Sequence, residues 1–274
     1  MNGYWICDEG RYGYKSVDDL RVPKPSLLSD GKAGAMAWED AFKLAAGELS
    51  ELCRTRGHQG LAVVLSGSLS NEDIYAAREL FVERLKAGHI LLQPGPDQLG
   101  EEDGLLRRKE RVPNLRGAQA LGFGTAIRES SLDEIRKGLL SGDIWGVYAV
   151  DRDPQTVLGD GIREALLALP FSLHQTANSN AFTQSARWVL PSCSYAEEDA
   201  TFVNFEGRAQ RVRRALRPFG ESKPDWEIFA GLLRALGSAF EHEDAASVFG
   251  ALSSKEPSFR GLMFDLPPNG EPLR

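Results

Sequence analysis

Hydrophobic residues recur at helical and at strand spacing through the middle of the chain. Over residues 38–53 they fall on one stripe with charged residues opposite, which predicts an amphipathic helix. Leu61–Leu65 is an apolar run of strand length, and His89–Gln93 is a second one. Between these runs, Ser70 is followed at the third position by Asp73, which is typical of a helix N-cap. The segment therefore predicts a β-α-β unit, whose two strands run parallel.

Predicted helices and strands continue to alternate toward the C-terminus. Residues 94–128 are rich in glycine, proline and charge, and predict a long loop. The further predicted elements are helices at 132–140, 160–169 and 223–236, strands at 144–150 and 171–176, and a short helix running into a strand at 182–190. This order predicts an α/β layered fold, with a mostly parallel sheet flanked by helices.

Domain organisation follows from where the pattern is clear and where it is broken. Glycines and prolines interrupt residues 1–36, which we expect to be an irregular lead-in segment. The α/β domain is expected over residues 37–240. Residues 241–274 are expected to form a C-terminal tail, which is rich in proline after residue 256.

Composition excludes several classes of protein. The 274 residues carry a formal net charge of −7, so nucleic acid is not an expected partner, because phosphate binding needs a basic surface. No apolar run approaches the roughly 20 residues that span a bilayer. The N-terminus shows no signal-peptide pattern, so we expect a cytoplasmic protein without a membrane span.

Candidate chemistry is sparse outside one cysteine. The turn Ser66-Gly-Ser-Leu-Ser70 lies between a strand and a helix, where phosphates bind in doubly wound folds, but it lacks the G-x-G-x-x-G and P-loop patterns. No serine-hydrolase motif G-x-S-x-G is present. Two basic runs, 107–111 and 211–217, are either solvated faces or docking sites for an acidic partner. The four histidines show no metal-ligand spacing: His58, His89, His174 and His242.

Cysteine usage argues against a complete metal centre. Cys7, Cys53 and Cys193 are far apart, whereas zinc ribbons and iron–sulfur clusters need clustered thiolates. Cys7 is the candidate ligand, because Gly10 permits close backbone approach and Arg11 can offset the charge of a cluster. An exposed thiol is the alternative.

Several segments, in order along the chain, have a recognisable pattern. They are Trp5-Ile-Cys-Asp-Glu-Gly-Arg-Tyr12, Ala37-Trp-Glu-Asp-Ala41, Trp188-Val-Leu-Pro191, Glu198–Gln210 (with its N-x-E-G-R-x-Q stretch) and Lys223-Pro-Asp-Trp226. Together these segments resemble the large iron–sulfur subunit (75-kDa type) of respiratory NADH:quinone oxidoreductase, complex I, within the wider molybdopterin oxidoreductases. Two positions depart from the pattern of that family: Arg187 stands for an aspartate and Ala200 for a glycine.

The resemblance implies a shortened molybdopterin oxidoreductase-like domain that acts as a scaffold in the peripheral arm of complex I. By this resemblance, Cys7 corresponds to the last ligand of an extra [4Fe–4S] cluster, whose other three thiolates we expect on a separate N-terminal iron–sulfur chain. No catalytic or cofactor-binding residue is assigned, and neither molybdopterin nor another cofactor is expected on this chain alone. The expected location is cytoplasmic, peripheral to the inner membrane.

Two other functions stay open. The alternative is part of a molybdopterin-dependent oxidoreductase, formate dehydrogenase-like, with a pterin site between two α/β domains. The third is a free-standing α/β protein that binds a small molecule.

Overall fold

The computed structural model describes residues 11–93, 108 and 112–274. The central element of this part of the chain is a sheet of seven strands. They are β1 (Ser26–Ser29), β2 (Lys32–Ala35), β3 (Leu61–Ser66), β4 (His89–Gln93), β5 (Gly146–Val150), β6 (Phe171–Thr176) and β7 (Trp188–Pro191).

The sheet is mostly parallel. Its strand order is β2-β1-β7-β6-β5-β3-β4, and the five strands from β3 to β7 all run in the same direction. The predicted α/β layered fold is therefore confirmed, as is the parallel pairing of the first β-α-β unit. A parallel sheet is buried on both faces, which explains why β3, β5 and β6 are continuous buried runs.

A β-hairpin forms one edge of the sheet. β1 pairs antiparallel with both β2 and β7. Its two-residue turn is Asp30-Gly31, and both residues have positive φ, as the turn type favoured in hairpins requires. We predicted an irregular segment here, and for residues 26–35 that was wrong, because the short strands contain little apolar sequence and obtain their pairing from β7.

Helices cover both faces. The predicted helix at 38–53 is confirmed as α1. The helix predicted at 160–169 is shorter, Arg163–Leu167, and Gly159 and Gly161 separate it from another short helix that precedes the predicted range. The helices are α1 (Trp38–Arg56), α2 (Asn71–Ala77), α3 (Leu115–Ala120), α4 (Leu132–Ser141), α5 (Pro154–Leu158), α6 (Arg163–Leu167), α7 (Asp225–Ala235) and α8 (Ala245–Lys255). α2 continues as a π-helical turn over Arg78–Arg84.

Alternate residues of each strand enter two separate cores. In β3, Leu61 and Val63 pack into a large core with α1, α2, α7 and α8. Ala62 and Val64 of the same strand face a smaller core with α4, α5 and α6. This period of two places helices on opposite faces of one sheet.

A second sheet and the C-terminal residues complete the larger core. β8 (Ala200–Val203), β9 (Arg208–Val212) and β10 (Glu271–Pro272) form an antiparallel ribbon. Phe249 of α8 and Phe259 are fully buried in the main core, so the predicted tail packs as part of it. Residues 94–107 and 109–111 of the predicted loop at 94–128 lie outside the described residues, and α3 in the described part is helical. In the described part of the chain, no helix is both long and apolar enough to cross a bilayer.

Candidate functional site

A cleft opens at the carboxyl edge of the parallel strands. The chain passes from β3 to β4 on one side and then returns to β5 on the other side of β3. This reversal is a topological switch point, where open α/β sheets bind their ligands. The cleft has a volume of about 230 Å³, smaller than the roughly 300–1,000 Å³ of pockets for drug-sized ligands, so it suits one small ring system.

Acceptor groups dominate the lining of the cleft. Carboxyl groups come from four places: α2, the end of β5, the turn before β8 and the start of α7. Among the described residues, no lysine or arginine lines it. The lining residues are Ser16, Ser68, Leu69, Asp73, Asp151, Ala177, Asn178, Ser192, Cys193, Ser194, Tyr195, Glu198 and Asp225.

Burial raises the pKa of two carboxyl groups of the cleft, Glu198 and Asp225. Burial, together with the nearby charges of Asp73 and Asp225, raises the pKa of Glu198 well above its usual range. Burial and the charge of Asp73 likewise raise the pKa of Asp225 well above its usual range. A neutral carboxyl can both donate and accept a hydrogen bond, whereas the ionised form only accepts.

Glu198 has free hydrogen-bonding capacity. Its residue is only 7% exposed, and its Oε2 atom has no hydrogen-bond partner among the described residues. Asp225 is held by a chain of side chains: the Tyr148 hydroxyl donates to Gln175, and the Gln175 Nε2 donates to Asp225 Oδ1 at 2.5 Å. An unpaired buried acceptor is destabilising, so Glu198 marks a place for a donor.

Asp73 and Glu72 serve the framework of the cleft. Asp73 caps its own helix through the Ser70 backbone and hydroxyl, and its Oδ1 also accepts from the Trp226 N–H of α7 at 2.7 Å. Glu72 accepts from both the backbone N–H and the hydroxyl of Thr201, on β8. These bonds join α2, α7 and the second sheet behind the cleft.

Asp151 has strained backbone geometry. It follows β5 with a φ of 66°, in the left-handed region that non-glycine residues rarely adopt. The Ser66 hydroxyl donates to its Oδ2 at 2.9 Å, and its N–H donates to the Gln175 carbonyl at 2.7 Å. Such strain is concentrated at functional sites, and here it fixes a carboxylate between β3 and β5.

The arrangement suits a planar ligand rich in N–H groups. Glu198 and Asp225 offer oxygen atoms to a ring N–H and an exocyclic amino group, and Ser192 and Ser194 add hydroxyls. A phosphate finds no positive counter-charge among the described lining residues. No group of three or more metal-ligating side chains in the described residues could hold a metal ion.

The structure places some of the predicted site residues at the cleft and others away from it. Cys7 lies outside the described residues, so its role stays a prediction. The Ser66–Ser70 turn does lie at the cleft, through Ser68 and Leu69, and its predicted helix cap at Ser70 is confirmed. Within the described ranges, the four histidines do not come together into a metal site.

His174 is the histidine with unusual surroundings. It is fully buried on β6, and neither ring nitrogen has a hydrogen-bond partner of normal geometry among the described residues; the backbone of Asp151 and Arg152 lies near the ring. Burial lowers its pKa to about 3, so it is neutral in the folded protein. It packs against the Phe182 ring and belongs to the core, not to the cleft.

The carboxyl residues of the cleft were not predicted as a site. Asp151 had a usable signal, since an acidic residue directly after a parallel strand falls at the carboxyl edge. Glu198 and Asp225 follow an irregular turn and begin a helix, so only the folded structure shows that they converge.

Comparison with known proteins supports the molybdopterin oxidoreductase superfamily. Residues 133–235 match the family model "Molybdopterin oxidoreductase". The curated protein "Putative formate dehydrogenase" of Staphylococcus haemolyticus is 30% identical over 134 residues, and a protein of the same description from Staphylococcus aureus strain bovine RF122 is also 30% identical over 134 residues. Each alignment covers 48% of this chain and 14% of the relative.

A solved structure shares the fold. Acetylene hydratase from Pelobacter acetylenicus aligns with a TM-score of 0.62 at 10% identity, over 94% of this chain and 67% of that one. At this identity the likeness shows the fold alone.

Proposed function

We propose, from the premise that residues 133–235 carry a molybdopterin oxidoreductase domain, that this chain is part of a molybdopterin-dependent oxidoreductase of the formate dehydrogenase type. The observation that carries the proposal is the acceptor-lined cleft at the switch point of the sheet. The matched segment contains β5, β6, β7 and α7, and the residues that follow these three strands, together with Asp225 at the start of α7, supply most of the lining of that cleft.

The cleft fits the ring end of a molybdopterin. The pyrimidinone edge of a pterin carries an amino group and a ring N–H, and adjacent carboxyl oxygens can accept both. Glu198 would accept through its unpaired Oε2, and Asp225 would accept while Gln175 fixes its orientation. Because the described lining offers the phosphate no cation, the groups that bind it would come from elsewhere in a larger protein.

The residues of this chain would bind and orient the ring and would not carry out the redox step. When bound, a molybdopterin supplies the redox-active metal that exchanges electrons with substrate. Burial of Glu198 and Asp225 excludes water around the ring, which strengthens their hydrogen bonds. Either carboxyl group can release its proton when it accepts two N–H donors, because accepting stabilises the ionised form.

Binding of a small pterin to the purified chain tests this proposal. Neopterin is fluorescent and carries the amino group, and we expect quenching that saturates. Losing a charged hydrogen bond costs about 1.5–3 kcal/mol, so the Glu198→Gln variant should bind at least about tenfold more weakly. Glu241→Gln, at an exposed position, is the matched control and should bind as the wild type does.

A second ligand sharpens the test. Lumazine replaces the amino group of pterin by an oxo group, so it should bind about tenfold more weakly than neopterin to the wild type. Equal affinities for the two ligands, or equal affinities of the wild type and Glu198→Gln, would contradict the assigned contacts.

A scaffold role in NADH:quinone oxidoreductase is the second candidate. The observation that favours it is the described lining of the cleft, which has four carboxyl groups and no lysine or arginine, so this lining by itself offers no counter-charge to the phosphate of a cofactor. In that role the chain would contact other peripheral-arm subunits on the cytoplasmic side of the membrane. Cys7 would complete a [4Fe–4S] cluster with three thiolates of a separate chain.

Iron–sulfur reconstitution tests the second candidate. We expect no low-temperature EPR signal from this chain alone, and a cubane signal only when an N-terminal iron–sulfur chain is added. Loss of that signal in Cys7→Ser would support the ligand assignment. A full cluster on this chain alone would refute it.

A further inference from the structure

Three arginines on one surface loop have no hydrogen-bond or ion-pair partner among the described residues. The loop, Arg213–Phe219, connects β9 to the segment before α7, and we call it the arginine loop. Arg213, Arg214 and Arg217 are exposed, and within the described part of the chain none of them forms a hydrogen bond or an ion pair.

A lack of carboxylates in the chain does not explain why these three arginines form no ion pair among the described residues. The chain has 39 acidic and 32 basic residues, excluding histidine. Arg211, two positions before the loop, pairs with both Asp199 and Asp265. Arg21 and Arg187 also pair with carboxylates. The free guanidinium groups are therefore a local property of the arginine loop.

Large apolar side chains are exposed at the same place. Leu216 is 47% exposed and Phe219 is 44% exposed, and Tyr195 next to the loop is 54% exposed. Arginine and aromatic residues are enriched in protein–protein interfaces. A solvated charged face would not need the apolar side chains.

The backbone of the loop is held in place at its middle and just after its C-terminal end. The N–H groups of Ala215 and Leu216 both donate to the Ala196 carbonyl at 2.9 Å. At the other end, Gly220 has a φ of 58°, and a Cβ there would lie 2.4 Å from the Pro23 carbonyl oxygen, so only glycine fits. Because the backbone is already ordered, docking would lose little conformational entropy.

We propose that the arginine loop docks onto an acidic surface of another polypeptide. The planar guanidinium groups would bind carboxylates in pairs, and Leu216 and Phe219 would be covered by the apolar part of the partner. Complementary charge would orient the partner on a chain that is acidic as a whole.

Charge counts favour a protein over other anionic surfaces. Recognition of anionic membranes typically uses clusters of roughly four to eight basic residues. The arginine loop has only three arginines without a partner among the described residues. Nucleic acid binding uses many phosphate contacts along a basic surface, and on a chain with a net charge of −7 the arginine loop offers only a local patch of basic groups. The experiment below also measures binding to a membrane and to a nucleic acid.

Fluorescence anisotropy with a defined acidic probe tests the proposal. The probe is a labelled peptide of six glutamates, one leucine and one phenylalanine, titrated with the full chain at low salt. Exposed ion pairs each change affinity by about threefold, so the R213Q/R214Q/R217Q variant should bind about 30-fold more weakly. The R54Q/R163Q/R260Q variant changes charge equally at exposed positions outside the loop and should bind within about threefold of the wild type.

Several results would overturn the proposal. One is an equal loss of affinity in both triple variants, which would show an effect of net charge alone. Another is the absence of peptide binding to the wild type at low salt. Tighter, loop-dependent binding of a 20-nucleotide single strand, or of vesicles with 30% phosphatidylserine, would assign the loop to nucleic acid or membrane instead. Hydrogen exchange with bound peptide should show protection over residues 213–219, and protection only elsewhere would also contradict it.

Discussion

Replacing Glu72 by glutamine should remove the pH dependence of stability that this residue imposes. Glu72 is fully buried and accepts from the N–H and hydroxyl of Thr201 at 2.9 and 2.8 Å. Burial raises its pKa from 4.5 to about 8, and the hydrogen bonds only partly oppose this. In the folded protein at neutral pH, Glu72 is therefore protonated, whereas in the unfolded chain it is ionised.

The sign and the size of the effect follow from linkage. Because the folded pKa is raised, the contribution of Glu72 is fully present below pH 4.5 and is lost as the pH rises toward 8. The whole shift corresponds to roughly 5 kcal/mol of unfolding free energy. Glutamine has nearly the same shape and does not ionise, so the variant should lack this loss. One imperfect hydrogen bond to Thr201 costs about 1 kcal/mol at every pH.

Urea unfolding at several pH values measures this. We expect Glu72→Gln to match the wild type within about 1 kcal/mol at pH 5 and to exceed it by about 3 kcal/mol at pH 8. Glu48→Gln is a control of opposite sign: although burial opposes it, hydrogen bonds from Arg187 and Trp188 lower the pKa of Glu48 below 4.5. That variant should therefore be less stable than the wild type by a constant amount from pH 5 to pH 8, and the deficit should shrink only as the pH falls below about 4.5. A constant difference between the wild type and Glu72→Gln from pH 5 to pH 8 would refute the reasoning.

Three other substitutions or probes test the framework. Burial lowers the pKa of His174 to about 3, so its contribution to the free energy of unfolding is complete above pH 6.5 and is lost as the pH falls. His174→Leu should therefore remove about 3 kcal/mol of the acid destabilisation of the wild type by pH 4.5. Unfolding by acid at the same pH in the variant and the wild type would contradict this. Asp73→Ala leaves buried N–H donors of Ser70 and Trp226 unpaired, so it should reduce the free energy of unfolding in urea titrations by about 2–5 kcal/mol. A reduction below about 1 kcal/mol would show that water replaces the carboxylate. Burial and the charge of Glu198 raise the pKa of the Cys193 thiol, so little of the reactive thiolate is present. Mass spectrometry after brief alkylation should therefore find Cys193 unmodified until urea is added. Modification in the native protein would show an open cleft.

The sequence predicts the main sheet because its strands are buried on both faces. Leu61–Leu65 and Phe171–Thr176 are continuous strand-length runs, and their parallel pairing follows from the helices between them. The hairpin of β1 and β2 was not predicted, because every residue of Lys32–Ala35 is exposed and the strand shows no alternation of buried and exposed positions. Its Asp30-Gly31 turn was the available signal.

The candidate site was less predictable than the fold. Ser70 and Asp73 form a local capping pattern, so the helix start at the cleft was visible. The second role of Asp73, as the acceptor of the Trp226 N–H, joins residues 153 positions apart and leaves no local pattern. Glu198 and Asp225 meet only because β7, the following turn and α7 return to the same edge of the sheet.

The most direct test of the proposed function is the pterin and metal content of the assembled protein. The chain spans 14% of its curated relatives in each alignment, so it should be isolated by an affinity tag together with its native partners. We predict near-stoichiometric pterin, detected by fluorescence after oxidation, with molybdenum or tungsten, and a marked loss of both in Glu198→Gln. A purified assembly that contains neither pterin nor either metal would contradict the proposal and favour the scaffold role.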